Sequence, residues 1–130
     1  ENYSVSDLID NCLAKNKKKT INILNENNYN LEDCILIIRT FLIKSKRLLK
    51  LKKEVKSKSN IDDVISSFKP PIFWKDKHVI KQQVSCWSNG NAEKLIYKIN
   101  EIELLIKKNS INSVNILSDF IIEQTTVISN

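Results

Sequence analysis

One glycine and two adjacent prolines are all the strong backbone punctuation in this chain of 130 residues. Against 42% apolar residues, so few breakers predict long helices, few tight turns and no sheet. The scarcity also excludes a functional class. A phosphate-cradling loop needs several glycines so that backbone N–H groups can approach the anion, and Gly90 alone cannot build one. The chain does not bind a nucleotide in the P-loop or Rossmann manner. Its length suits one domain with a core that needs neither metal nor disulfide. It opens on Glu1 and contains no Met, which predicts a piece of a longer or processed protein.

Apolar spacing predicts seven helices. Val5, Leu8, Ile9, Cys12 and Leu13 form one helical stripe, with Ser4 or Ser6 as candidate cap. A short helix over Lys18 to Glu26 should bury Ile21 and Leu24, and Asn27 to Asn30 reads as a turn. Asn30 is placed to cap the longest helix, Leu31 to about Lys56, with Glu32 and Asp33 in its first turn. Its stripe is Leu31, Cys34, Ile35, Ile38, Phe41, Leu42, Leu48, Leu49 and Val55; the nearly all-apolar Ile35–Ile38 stretch predicts contact on two sides. Asn60 looks like the cap of a short helix, with Asp63 in a capping-box position. Pro70-Pro71 should end that helix in an extended link. The next helix, about Phe73 to Cys86, is expected to turn Phe73, Ile80, Val84 and Trp87 inward, followed by a turn at Ser88 to Asn91. A sixth helix to about Lys108 should bury Ala92, Leu95, Ile96, Ile99, Ile102 and Ile106, and a seventh, about Ser113 to Ile128, should bury Val114, Leu117, Phe120 and Ile121. No repeat or linker separates these pieces. The expectation is all-α: one compact bundle of six to seven helices over residues 1–130.

Catalytic and metal constellations do not emerge. Cys12, Cys34 and Cys86 are far apart and lie in apolar patterns, so they read as small core residues in a reducing cytoplasm rather than zinc ligands or disulfides. His78 is the only histidine and sits among Lys75, Lys77 and Lys81. Asp62 and Asp63 read as helix-start charges, and Glu101 and Glu103 point to different faces. Asp7 and Asp10 share a face but have no obvious partner nearby. No enzyme activity, metal or cofactor is expected. No apolar stretch approaches the ~18 residues of a membrane span.

The net charge is +6, from 21 basic and 15 acidic residues. Nucleic acid is one reading of that balance. The other is genomic composition, because 19 Lys against 2 Arg, with 20 Ile and 16 Asn, is what AT-rich codons supply. The second half of the long helix carries Lys44, Lys46, Arg47, Lys50, Lys52, Lys53, Lys56 and Lys58 against Glu54 alone, a pattern usually seen on a solvated face. A sharper feature is Lys69-Pro70-Pro71-Ile72-Phe73-Trp74-Lys75-Asp76-Lys77. An outward Trp74 among cations would suit base stacking or a protein contact, whereas an inward one would be core.

Around that segment the chain resembles a known family. A long helix ending in a basic run is followed by a short capped helix and then Lys69-Pro70-Pro71-Ile72-Phe73-Trp74-Lys75. A helix closing on Trp87-Ser88 comes next, and then an acidic-apolar helix ending Glu103-Leu104-Leu105-Ile106-Lys107. This order, together with Val5-Ser6-Asp7-Leu8-Ile9-Asp10 at the start, resembles the C-terminal third of the DNA polymerase III delta subunit family of clamp-loader proteins. The likeness covers nearly the whole chain, is strongest from Leu36 to Lys107, and rests on order and spacing rather than one diagnostic motif. It implies a helical collar domain at the C-terminal end of a longer chain, which joins sister subunits in a pentameric loader. The family's clamp-opening element and nucleotide-fold-like modules precede this region, so the sliding clamp would be reached only through them. Trp74, Lys75 and Lys77 become candidate primer-template DNA contacts, and Tyr97 and Phe120 candidate subunit contacts. A basic helical nucleic-acid-binding module and a purely structural adaptor are the alternatives.

Overall fold

The structure, a computed structural model, describes residues 3–58 and 60–126. Seven α-helices in these residues form a bundle: α1 Tyr3–Leu13, α2 Lys17–Glu26, α3 Leu31–Lys58, α4 Ile61–Ser67, α5 Lys77–Cys86, α6 Asn89–Lys108 and α7 Ser113–Gln124. Single 3-10 turns at Trp74–Asp76 and Ser110–Asn112 lead into α5 and α7. Among the described residues there is no strand, so the all-α bundle expected from the periodicity is what the chain forms.

α3 is the axis. It packs against α1, α4, α5, α6 and α7, most extensively against α6. The two run antiparallel: Arg39 near the start of α3 meets Glu103 near the end of α6 at 3.9 Å, while Val55 and Lys56 line a surface hollow with Ser88 and Asn89. Cys34, Ile37, Ile38, Phe41, Leu48 and Leu51 of α3 are buried, meeting Ala92, Leu95, Ile99 and Ile106 of α6 within one continuous core. Phe41 and Phe120 of α7 stack at its centre with ring centroids 5.6 Å apart. The two-sided contact predicted around Ile35–Ile38 is present, but through Ile37 and Ile38; Leu31 and Leu36 are exposed.

Caps set the helix starts. Asn30 and Asp33 exchange bonds, Asp33 N donating to Asn30 Oδ1 at 2.9 Å and Asn30 N to Asp33 Oδ2 at 3.0 Å, a reciprocal box before α3. Asn60 Oδ1 accepts from Asp62 N at 2.9 Å and Asp63 N at 3.4 Å. Ser88 Oγ accepts from Asn91 N at 3.0 Å, so α6 begins at Asn89 and the turn expected at Ser88–Asn91 is instead its cap and first residues. α1 already includes Ser4 and Ser6, so neither serine caps it. On α2 the buried residues are Thr20 and Ile23, with Ile21 and Leu24 only half-buried; that helix is rotated relative to the expected face. α7 ends at Gln124, earlier than expected, and residues 127–130 lie outside the described ones.

α1 ends in an unusual way. Asn16 N donates to Asn11 O at 2.9 Å and Lys15 N to Cys12 O at 3.0 Å, the paired bonds of a Schellman motif. Its left-handed residue is Lys15, with φ 63°, where glycine is usual. An L side chain there costs about 1–2 kcal/mol. The Lys15 side chain offsets that cost. Its Nζ donates to Gln124 O at 2.8 Å and Thr126 O at 3.1 Å, satisfying carbonyls at the end of α7, and lies 3.8 Å from the centroid of the Trp87 ring. Burial holds the Lys15 ammonium below its ordinary pKa.

A second polar cluster joins three helices. Asp10 of α1, 5% exposed, accepts from Lys44 Nζ of α3 at 2.9 Å, with an Arg47 guanidinium nitrogen at 3.5 Å. Gln83 Nε2 of α5 donates to Asp10 O at 2.9 Å and Oδ1 at 3.3 Å. Removing one partner from a buried ion pair strands the other, at about 3–5 kcal/mol. Asp10→Ala is therefore expected to lower unfolding stability by about that much in urea titrations, and a loss below about 1 kcal/mol would refute a buried pairing. Ile99→Ala should cost about 2–5 kcal/mol in the same assay, because the site is fully buried between α6 and α3.

Candidate nucleic-acid interface

The link between α4 and α5 turns the aromatic pair outward. Phe68 follows α4 and is buried, with Lys50 Nζ of α3 5.2 Å from its ring centroid. Pro70 and Pro71 then lie at the surface without helical structure, and Ile72 is half-buried. Phe73 takes an extended conformation, and its carbonyl accepts from Asp76 N at 2.9 Å to close the 3-10 turn Trp74–Asp76. Proline disfavours helix in the preceding residue and lacks a donor, so α4 cannot run on into α5. The segment therefore arrives at α5 from outside the bundle.

That geometry corrects one expectation. Phe73 is not on the inner line of α5; it is more than half exposed, and the core residues there are Ile80, Gln83, Val84 and Trp87. Trp74 is 73% exposed. The two rings are 5.9 Å apart at 56°, and Lys75 Nζ is 5.5 Å from the Trp74 centroid. Trp74 thus has the outward placement, and Trp87 is the core tryptophan: it is buried, with Nε1 donating to Leu13 O at 2.8 Å.

Lys77 is differently placed from Lys75. Its Nζ and that of Lys81 each sit 3.2 Å from Asp62 Oδ1 on α4. The hydrogen bond from Lys77, then that from Lys81, holds the Asp62 carboxyl below its ordinary pKa. The basic run of α3 is likewise divided. Lys44 is buried on Asp10, Lys50 lies over Phe68, and Lys52 Nζ donates to Val84 O at 3.0 Å, which leaves Lys46, Lys53 and Lys56 exposed. His78 is exposed on α5.

The two candidate subunit contacts part company. Tyr97 is 72% exposed on α6 and shares its outer face with Leu104, seven residues on, opposite the buried Ile99 and Ile106. Phe120 is core, packed on Phe41, and its ring is not available at the surface. Leu104 was not singled out from sequence, although its spacing from Tyr97 against the Ile99–Ile106 stripe carries the signal. Exposed Leu36 and Ile43 on α3 show the same seven-residue spacing, whereas Ile111 in the second 3-10 turn stands alone.

Among the described residues no three His, Cys, Asp or Glu side chains cluster as a metal site would require, and no helix is long and apolar enough to cross a membrane. Burial pushes the Cys12 thiol up to about 12, far from a reactive thiolate at neutral pH. The two tryptophans should separate in a melting experiment. Trp74→Ala is expected to leave stability within about 0.5 kcal/mol, as for surface substitutions, whereas Trp87→Ala should cost about 3–5 kcal/mol. Equal losses would mean that Trp74 is packed. Comparison with protein-family models, curated proteins and solved structures returns no match for this chain.

Proposed function

We propose that this chain is the collar domain of a clamp-loader delta subunit, a cytoplasmic module that joins sister subunits and meets primer-template DNA without catalysing a reaction itself. The observation that carries the reading is the outward Phe73–Trp74 pair with Lys75 against it, at the Pro-Pro segment on which the family resemblance centres. Two large aromatics left in water forgo burial worth roughly 1.5–3 kcal/mol for a side chain of phenylalanine size. A surface that keeps them beside cations suits a partner offering flat π-faces and negative charge, which is the chemistry of unpaired bases and their phosphates. Sister subunits would meet the outer face of α6 at Tyr97 and Leu104. Such ring contacts are heterologous, so the isolated chain need not self-associate. Phe120 has no part in this interface.

The test separates the two surfaces. Co-purification with the sister subunits is expected for the natural sequence and for Trp74→Ala, and its loss is expected for Tyr97→Asp combined with Leu104→Asp, with the helical circular dichroism signal retained. Trp74→Ala in the assembled loader should weaken primer-template binding by ~1–3 kcal/mol, the worth of one base stack, or about 5- to 150-fold. Lys75→Ala should make the plot of log affinity against log salt shallower by about 0.7–0.9, and Lys77→Ala, whose ammonium is paired with Asp62, should change it less. A natural chain that neither joins the sister subunits nor binds primer-template would sink this assignment.

A further inference from the structure

We propose that the aromatic platform is one end of a longer track for a DNA strand, which follows one edge of α5 and ends on Lys17, Lys18 and Lys19 at the start of α2. The proposal rests on the DNA-contact reading of Trp74 and Lys75 and carries it to a part of the chain remote in sequence. Backbone dihedrals stay helical through Asp76 and Lys77, so the 3-10 turn bearing Lys75 runs straight into α5. Gln82 lies seven residues after Lys75, close to two helical turns, which places both near one edge of the helix and ~10 Å apart.

Gln82 is also where that edge meets α2. Its Nε2 donates to Asn16 Oδ1 at 2.7 Å and to Ala14 O at 3.0 Å. Asn16 immediately precedes Lys17, and its own Nδ2 donates to Asn11 Oδ1 at 2.9 Å, so the junction is held in place. Lys17, Lys18 and Lys19 are exposed and line one surface hollow with Asn16 and Asn22. Of the three, only Lys19 has a described ion pair, a long one to Asp7 at 3.9 Å.

Acidic side chains are few around this edge: Asp76 follows Lys75 in the 3-10 turn, and Asp7 stands 3.9 Å from Lys19. α5 contains no acidic residue, the first turn of α2 has none, and the connection Ala14-Lys15-Asn16 has none. Asp62, which engages Lys77 and Lys81, lies toward α4 on the other side of α5. Exposed His78 and Ser85 stand between the two edges. The path therefore runs from stacking rings, past Lys75 and neutral polar side chains, to three unopposed or weakly opposed ammonium groups.

The test measures binding of the protein to a fluorescein-labelled primer-template with a single-stranded template tail, by anisotropy across a salt series. The triple variant Lys17→Gln, Lys18→Gln, Lys19→Gln is expected to make the log affinity against log salt slope shallower by roughly 2, from 0.7–0.9 per lost phosphate contact. Trp74→Ala should lower affinity at every salt concentration and leave the slope unchanged. A control, Lys94→Gln, Lys98→Gln, Lys108→Gln, removes the same charge from exposed positions on α6 and should change the slope far less. If the two triple variants lose slope equally, or the Lys17–Lys19 variant keeps the natural slope, the track is overturned, while a weakened Trp74→Ala protein still upholds the platform. A Trp74→Ala protein that binds like the natural one overturns the platform and the track together.

Discussion

The orientation of α1 against the rest of the bundle depends on one buried carboxylate. Asp10 sits on the buried side of α1, with Leu8, Ile9, Cys12 and Leu13 fully buried around it. Apolar contacts alone would tolerate several rotations of α1 on α3. A carboxylate removed from water tolerates few, because its charge must meet Lys44 on α3 while its own backbone carbonyl meets Gln83 on α5. Arg47 adds a longer contact from the same face of α3. Such a cluster contributes little net energy compared with an apolar replacement; what it fixes is the register of three helices.

Lys15 does comparable work just past the C-terminal end of α1. The left-handed turn it adopts swings the chain into α2, and its side chain fastens the end of α7 and lies across Trp87. Trp87 in turn donates to Leu13 O, and the Cys86 thiol lies 3.5 Å from Ala14 O. The α1–α2 junction is therefore gripped by the end of α5, which is the same helix that the Pro70-Pro71 segment feeds from outside. The aromatic pair is exposed on a frame anchored at its far end.

Much of this was legible in the residues, for physical reasons that can be named. Ile99 and Ile106 announced the inner face of α6, since an uninterrupted apolar stripe has no other way to leave water. Asn30 and Asn60 announced their helices because each stands before an acidic first turn, where a side-chain oxygen can satisfy orphan N–H groups. The errors fall where pattern gives way to tertiary geometry. On α2 the stripe is short and three apolar residues compete, so Ile23 rather than Ile21 won the core through packing on α1 and α7. Phe73 was assigned inward because the periodicity of α5 was extended back past Trp74, whereas Phe73 itself is extended and stands outside any helical phase. Phe120 fitted an inner stripe as well as an interface role, and in the fold its ring packs on Phe41 within the core. Asp10 was visible only as a carboxylate without a partner, because Lys44 and Gln83 are far away in sequence.

The charge pattern was the hardest to read, since a run of lysines looks the same whether each one is engaged or free. In space the run on α3 divides by contact. Lys44 neutralises Asp10, Lys50 covers Phe68, and Lys52 meets the carbonyl of Val84 near the end of α5. Lys77 and Lys81 are held by Asp62. The cations that remain outward beside exposed aromatic or neutral polar surface, Lys75 and the Lys17–Lys19 run, are set apart by that division rather than by sequence. A net charge of +6 is thus a sum over engaged and free cations alike, and only the contacts tell one kind from the other.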